Sequence, residues 1–233
     1  MGGQNPAVVL PDADLAAAAA QIAAAAFGFA GQKCTATKRV VVVGPVAEFT
    51  EALVAAVEQL PLGDPADAGT VVGPVIEEAA RTRVLDAAAG ARAAGGRVLT
   101  GGSAPAGDGW FVAPTVVDGL PDGADLLREE TFGPVCAVVA ADSVADAVRR
   151  ANDVRYGLAA ALYTRDLDAA LAVTGALAAG QVKVNAPTTG VDFYLPFGGE
   201  RDSSAGPREQ GKAAQDFYTS LHTVTVAPAG TAR

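Results

Sequence analysis

Cysteine, histidine and clustered positive charge are what this 233-residue chain has least of. It holds two cysteines, Cys34 and Cys136, and a single histidine, His222. Two thiols make no disulfide framework, so a reducing, cytoplasmic setting is the default expectation. One histidine, far in sequence from either thiol, leaves no local Cys-His pair and argues against a cysteine protease. Lys and Arg total 17 against 26 Asp and Glu, a net charge of -9. Nucleic acids and anionic membranes are held by clustered Lys and Arg, so neither is expected as a partner. The doublet Arg149-Arg150 falls in a helical pattern and reads as a solvated face. Long, strongly apolar runs are also missing. The stretch from Ala13 to Ala30 is mostly alanine, opens with Asp14 and contains Gln21, whereas a spanning helix needs about 20 predominantly apolar residues. Met1 is followed by Gly-Gly-Gln-Asn-Pro rather than by the basic and apolar regions of a secretory signal. No internal repeat, low-complexity linker or phosphate cradle is visible.

What is there in quantity is apolar sequence. Half of the residues, 50%, are hydrophobic, enough for a sizeable core. Strand-like runs alternate with helical ones. The segments 7–10, 38–43, 97–100, 135–140, 159–163 and 182–185 read as strands, with 38–43 central and β-branched. The segments 13–30, 46–60, 77–94, 143–152, 167–177 and 210–218 read as helices. Asp12 and Asp14 suit the start of the first helix and Gly31 its end. The segment 111–117 carries Pro114 and reads as an edge strand. Residues 188–206 are a loop crowded with Gly, Pro and Ser, and 221–226 is a final alternating strand. This alternation predicts an α/β fold, a largely parallel twisted sheet flanked by helices. The tail after Pro228 is expected to be disordered.

Cys34 is the candidate for chemistry. It follows Gly31, where the first helix should stop, and precedes the central strand. Cys136 supplies the contrast, since it lies inside Val135-Cys136-Ala137-Val138-Val139 and reads as inert core. A free cysteine is often only a small buried hydrophobe, so both readings of Cys34 stand on these residues alone. Lys33 could favour a thiolate, though neighbouring side chains need not face the same way.

A wider pattern goes further. Phe27-x-x-x-Gly31-Gln32-x-Cys34-x-Ala36 resembles the cysteine active-site signature of the aldehyde dehydrogenases. Further stretches resemble the same family in the same order: Gly2 to Pro6 (GGQNP), Glu129 to Val135 (EETFGPV), Asn152 to Leu158 with Tyr163-Thr164, and Val184-Asn185. Pro196-Phe197-Gly198-Gly199 with Gly206 to Gly211 (GPREQG) resembles its C-terminal signature. The last motif and the loop Thr188-Thr189-Gly190-Val191-Asp192 look most like the α-ketoglutarate semialdehyde dehydrogenase branch. The resemblance implies a catalytic domain over residues 1–211. Residues 212–233 then carry a helix, an oligomerisation-type edge strand and the tail. It implies Cys34 as nucleophile, Glu130 on the nicotinamide ribose, and Phe132 near the nicotinamide. It also implies Glu209 in a secondary proton relay and Phe197 at the aldehyde entrance. NAD or NADP is the implied cofactor, a small-molecule aldehyde the substrate, and a homo-oligomer the assembly. Asn185 is expected to fix a backbone turn.

The departures matter equally. The family's general-base glutamate lies immediately before the position filled by Met1. Its coenzyme domain, with the pyrophosphate site and the oxyanion-hole asparagine, also precedes that point. These 233 residues are therefore expected to be a truncated C-terminal portion, or a stand-alone domain without a cofactor half. Alone, they are not expected to oxidise aldehydes at a useful rate. Two other readings are a non-catalytic assembly domain of the same fold and a residual cysteine esterase. Which aldehyde is taken, and NAD against NADP, are not legible.

Overall fold

A computed structural model describes residues 2–230, so the expectations about Met1 and about residues 231–233 lie outside the described residues. The chain opens with β1 (Asn5–Val9), α1 (Leu15–Phe27), a 3-10 turn (Gly28–Gly31) and β2 (Thr37–Val43). Next come α2 (Val46–Glu58), α3 (Glu78–Ala93), β3 (Arg97–Thr100) and β4 (Thr115–Asp118). After α4 (Asp125–Arg128) follow β5 (Val135–Ala141), α5 (Val144–Asn152), β6 (Tyr156–Gly157) and β7 (Ala159–Tyr163). The last elements are α6 (Leu167–Ala176), β8 (Gln181–Val184), β9 (Glu200–Arg201) and α7 (Ala213–Tyr218).

Seven strands make one sheet in the order β3-β4-β5-β2-β1-β7-β8, with β6 and β9 as a separate ribbon. Every pair in the large sheet is parallel except β3 with β4. The expected α/β fold is therefore present, with β2 in the middle place. β1 and β2 are buried along their whole length, which a strand covered on both faces requires. Their alternate residues divide between the faces. Val40 and Val42 meet Ile22, Phe27 and Phe49 of α1 and α2. Val41 and Val43 meet Ala147 and Ala151 of α5, and Ala170 and Val173 of α6. A third cluster packs Val84 of α3 and Leu126 and Leu127 of α4 under β4 and β5. Alanine dominates α1 because that helix lies flat between the sheet and α2, and its small side chains permit close approach.

Local chemistry sets the element ends. The carboxylate of Asp14 accepts the Ala17 N–H, and the Ser143 hydroxyl accepts the Asp146 N–H, so both are N-caps. Asp12 does something else: its carboxylate accepts the Thr164 hydroxyl and the Arg165 N–H, tying β7 to the start of α1. Pro6 sits inside β1 where the register with β2 shifts, a place where a missing N–H costs no ladder bond.

Four expectations are corrected. The helix from Ala13 ends at Phe27, with Gly28 as its C-cap, because Phe29 and Ala30 take left-handed φ of 55° and 53°. The segment 111–117 is not an edge strand: its ordered part is β4, inside the sheet, and the edges are β3 and β8. Pro114 merely precedes it. The stretch 221–226 forms no strand, and Leu221, Val224 and Val226 are 99%, 69% and 86% exposed. A strand is defined by its partner, and no neighbouring strand of the described residues receives this one. The pair Arg149-Arg150 is not simply solvated, since both guanidinium groups bind Asp146 and Arg150 also binds Asp122. Of the tail, Ala229 and Gly230 form an exposed turn.

Candidate active site

Four of the motif-bearing segments meet at the amino ends of the sheet's strands. Gly2 and Gly3 lead into β1, the Cys34 turn into β2, the Glu130–Pro134 loop into β5, and Gly157 into β7. In many open α/β sheets ligands gather at the carboxyl ends instead. Here the Cys34, Glu130 and Gly2-Gly3 segments share the opposite edge, while the Tyr163-Thr164 and Val184-Asn185 motifs lie at the carboxyl ends of β7 and β8.

Cys34 occupies the centre of a turn closed by the Ala36 N–H on the Lys33 carbonyl at 3.0 Å. It is half-buried and free, while Cys136 is fully buried in β5. Burial pushes the Cys136 thiol up to about 12, which keeps it an inert core thiol. The Lys33 ammonium lies 4.0 Å from the centre of the exposed Phe29 ring, so its nearest recorded partner is that aromatic face.

Asn5 holds the turn from beneath. Its side-chain amide donates to the Cys34 carbonyl at 2.9 Å and to the Ala36 carbonyl at 2.8 Å. Its oxygen accepts the Ala159 N–H at 3.1 Å. One buried side chain thus joins β1, the Cys34 turn and β7. Gly3 makes room for this: a Cβ there would stand 2.6 Å from Asn5 Oδ1 and 2.9 Å from the Cys34 carbonyl oxygen. Arg39, buried in β2, donates twice to the Gln4 carbonyl and once each to those of Arg150 and Ala151. That fixes the approach of β1 from the side of α5.

Glu130 reaches the same place. Its Oε1 accepts the Gly3 N–H at 3.0 Å, and a Cβ on Gly2 would collide with its Oε2 at 2.5 Å. Phe132 is half-buried and takes a left-handed φ of 52°, which bends the loop towards β5. The C-terminal signature arrives through Ser203, whose hydroxyl accepts the Gly157 N–H at 2.9 Å and donates to the Gly2 carbonyl at 2.7 Å. Phe197 is buried, and its carbonyl accepts the Glu209 N–H at 2.9 Å. The exposed aromatics of the preceding loop are Phe193 and Tyr194. Asn185 behaves as expected: with φ of 52° it exchanges two side-chain hydrogen bonds with the backbone of Thr164.

Cys34, Glu130 and the Gly2-Gly3 segment are therefore brought together, while Phe197 and Glu209 are linked to each other on the C-terminal loop. Sequence reasoning missed Asn5, Lys38, Arg39 and Ser203. A signal existed for two of them, since Lys38 and Arg39 open a strand otherwise made of valine. Charged groups in such a strand need dedicated partners. No cluster of potential metal ligands occurs among the described residues. No helix among them is long and apolar enough to cross a membrane.

Comparison with known proteins agrees with the motifs. The profile described as the aldehyde dehydrogenase family matches residues 1–224. Alpha-ketoglutaric semialdehyde dehydrogenase of Bacillus subtilis (strain 168) is 37% identical over 233 residues, 98% of this chain and 48% of that protein. Vanillin dehydrogenase of Pseudomonas fluorescens is 38% identical over 227 residues, 97% of this chain and 46% of that protein. Among solved structures, an aldehyde dehydrogenase of Mycobacterium tuberculosis complexed with NAD+ superposes with a TM-score of 0.92 at 32% identity. That match covers 100% of this chain and 48% of the other. Lactaldehyde dehydrogenase from Escherichia coli gives a TM-score of 0.89 at 34% identity, over 94% of this chain and 46% of that one. The chain spans about half the length of the curated relatives it matches.

Proposed function

The chain belongs to the aldehyde dehydrogenase family, and from that premise we propose that it is the cysteine-bearing catalytic portion of an NAD(P)-dependent enzyme oxidising an aldehyde to a carboxylic acid. The observation that carries this reading is the convergence on one sheet edge of the half-buried Cys34, the Glu130 carboxylate and the Gly2-Gly3 segment. In this reading the Cys34 thiolate adds to the aldehyde carbon and leaves a tetrahedral thiohemiacetal oxyanion. The backbone N–H of Cys34 is one donor for that oxyanion. Asn5 keeps the following peptide in place by holding the Cys34 and Ala36 carbonyls.

Glu130 and Phe132 are the residues proposed to hold the cofactor. The donor set fits. A carboxylate has about four lone-pair sites, so Glu130 can accept ribose hydroxyls while Gly3 occupies one of its oxygens. When bound, the nicotinamide supplies a hydride acceptor, and the acyl group stays on Cys34 as a thioester. Water then releases the acid with help from a general base. Glu209 is proposed for a proton-relay role away from Cys34. Phe197 is proposed as the wall behind the entrance loop 188–195. The Thr188 to Asp192 loop and the similarity to the Bacillus subtilis protein favour an α-ketoglutarate semialdehyde as substrate.

Acyl transfer tests Cys34 without any cofactor. Incubated with p-nitrophenyl acetate, the 233-residue chain should acquire an acetyl group on the Cys34 peptide and none on Cys136. Cys34→Ala should abolish the adduct with its fold unchanged by circular dichroism. An adduct confined to another residue, or none at all, would remove Cys34 from the nucleophile role. NAD-dependent turnover by the 233-residue chain alone should be negligible, since it spans about half the length of the relatives it matches.

A second reading, a domain whose main role is assembly, is favoured by one observation: the alternating segment 221–226 is exposed and pairs with no strand of the described residues. Residues 212–233 are proposed as an appendage that pairs with another copy. Light scattering should report a species larger than one chain, and deletion of 219–233 should return it to a monomer. A monodisperse monomer at micromolar concentration would count against any such pairing.

A further inference from the structure

Lys38 is the buried charge that none of the steps above uses. It lies in β2, is 3% exposed, and is followed by Arg39 and four valines. Its ammonium donates to the Gly31 carbonyl at 2.8 Å and to the Gly133 carbonyl at 2.6 Å. Gly31 stands three residues before Cys34, and Gly133 directly follows Phe132. The two segments also touch each other. A Cβ on Gly31 would lie 2.4 Å from the Gly133 oxygen, and Gly31 has a φ of +62° that suits glycine. Gly133 is packed equally tightly, since a Cβ there would meet Val84 Cγ2 at 2.2 Å. Two backbone carbonyls turned towards one buried point repel each other and lack water. An ammonium between them satisfies both.

We propose that Lys38 is a positioning residue that fastens the Cys34 segment to the Glu130–Phe132 segment, so that thiol and carboxylate are held in register by one cation. The proposal rests on the reading of Cys34 and Glu130 as parts of one site. The titratable groups acting on Lys38 are Cys136 from β5 and Glu130 from the adjoining loop. Burial lowers the ammonium to about 8, while those two groups oppose the fall. The clamp should therefore weaken as the solution becomes mildly alkaline.

The test is the pH profile of Cys34 alkylation by iodoacetamide, read by peptide mass spectrometry with Cys136 as internal control. Wild type, Lys38→Arg and Lys38→Met are compared. Wild type should show a further inflection near the lysine's, and the Arg variant, charged throughout, should lack it. The Met variant should differ from wild type by roughly fivefold or more at neutral pH. Stability gives a second readout. Because the charged form is disfavoured in the folded state, wild-type stability should rise as pH climbs from about 8 towards the ordinary 10.5. The Met variant should lack that rise. Cys136, held up to about 12, acts in the opposite sense above 9.0 in every variant. If the Met protein does not fold, the wild-type and Arg profiles decide: superimposable curves overturn the proposal. Absent acylation at Cys34 together with Lys38-dependent alkylation would instead defeat the nucleophile reading and leave the clamp standing.

Discussion

Gly31→Ala should cost about 4 kcal/mol or more, and the 233-residue chain should fail to reach its folded state at ordinary temperatures. The added methyl would sit 2.4 Å from the Gly133 oxygen and 2.7 Å from the Ala26 oxygen. Both are backbone atoms, so no rotamer change relieves the contact. The left-handed φ adds about 1–2 kcal/mol on its own. Gly28→Ala, three residues earlier, is the matched control. Nothing lies within 4 Å of its Cβ position, and its φ of -54° suits any residue. That variant should be neutral or slightly more stable. Urea titration followed by circular dichroism measures both. Equal midpoints for the two variants would show that the Gly31–Gly133 contact is not as tight as the distances state.

Asn5→Ala carries the other large effect. The change removes two donors and one acceptor from a side chain that is 1% exposed. It leaves the carbonyls of Cys34 and Ala36 and the N–H of Ala159 unpaired. Each orphaned buried group costs about 1–3 kcal/mol, so a loss of about 4 kcal/mol is expected. Asn5→Asp is informative because the shape is kept. A carboxylate can still accept from Ala159 but can only repel the two carbonyls, so Cys34 alkylation should change even where folding survives. A Cys34 rate unchanged in a folded Asn5→Asp protein would detach Asn5 from the turn.

These two residues also show where the sequence could be read and where it could not. The Val-rich run of β2, the Asp14 cap and the strand–helix alternation rest on periodicity and short-range chemistry, and they appear as expected. Cys34 stood out because glycine broke the helix before it. Asn5 gave no such sign. Its function depends on β7, which pairs with β1 from more than 150 residues away in sequence. Lys38 was visible as an anomaly in an apolar strand, but its partners Gly31 and Gly133 meet only once the sheet is built. The segment 221–226 failed in the opposite way. It has the alternation of a strand, and alternation alone does not supply a partner. Phe29 and Ala30 also defied a local reading. Nothing in an alanine-rich helix announces two consecutive left-handed residues, which the meeting of two loops imposes.

The place of β1 in the sheet also has a kinetic meaning. The strand nearest the amino terminus lies between β2 and β7, and the Ser203 bond to Gly2 spans 201 residues. A chain emerging from the ribosome can pair β1 with β2 early, yet the other edge of β1 waits until Tyr163 has been made. During that interval one edge of this five-residue, otherwise buried strand is open to foreign strands. Such non-local closure slows folding. Slow refolding is therefore the expectation set by the order of the strands, whatever the chemistry at Cys34.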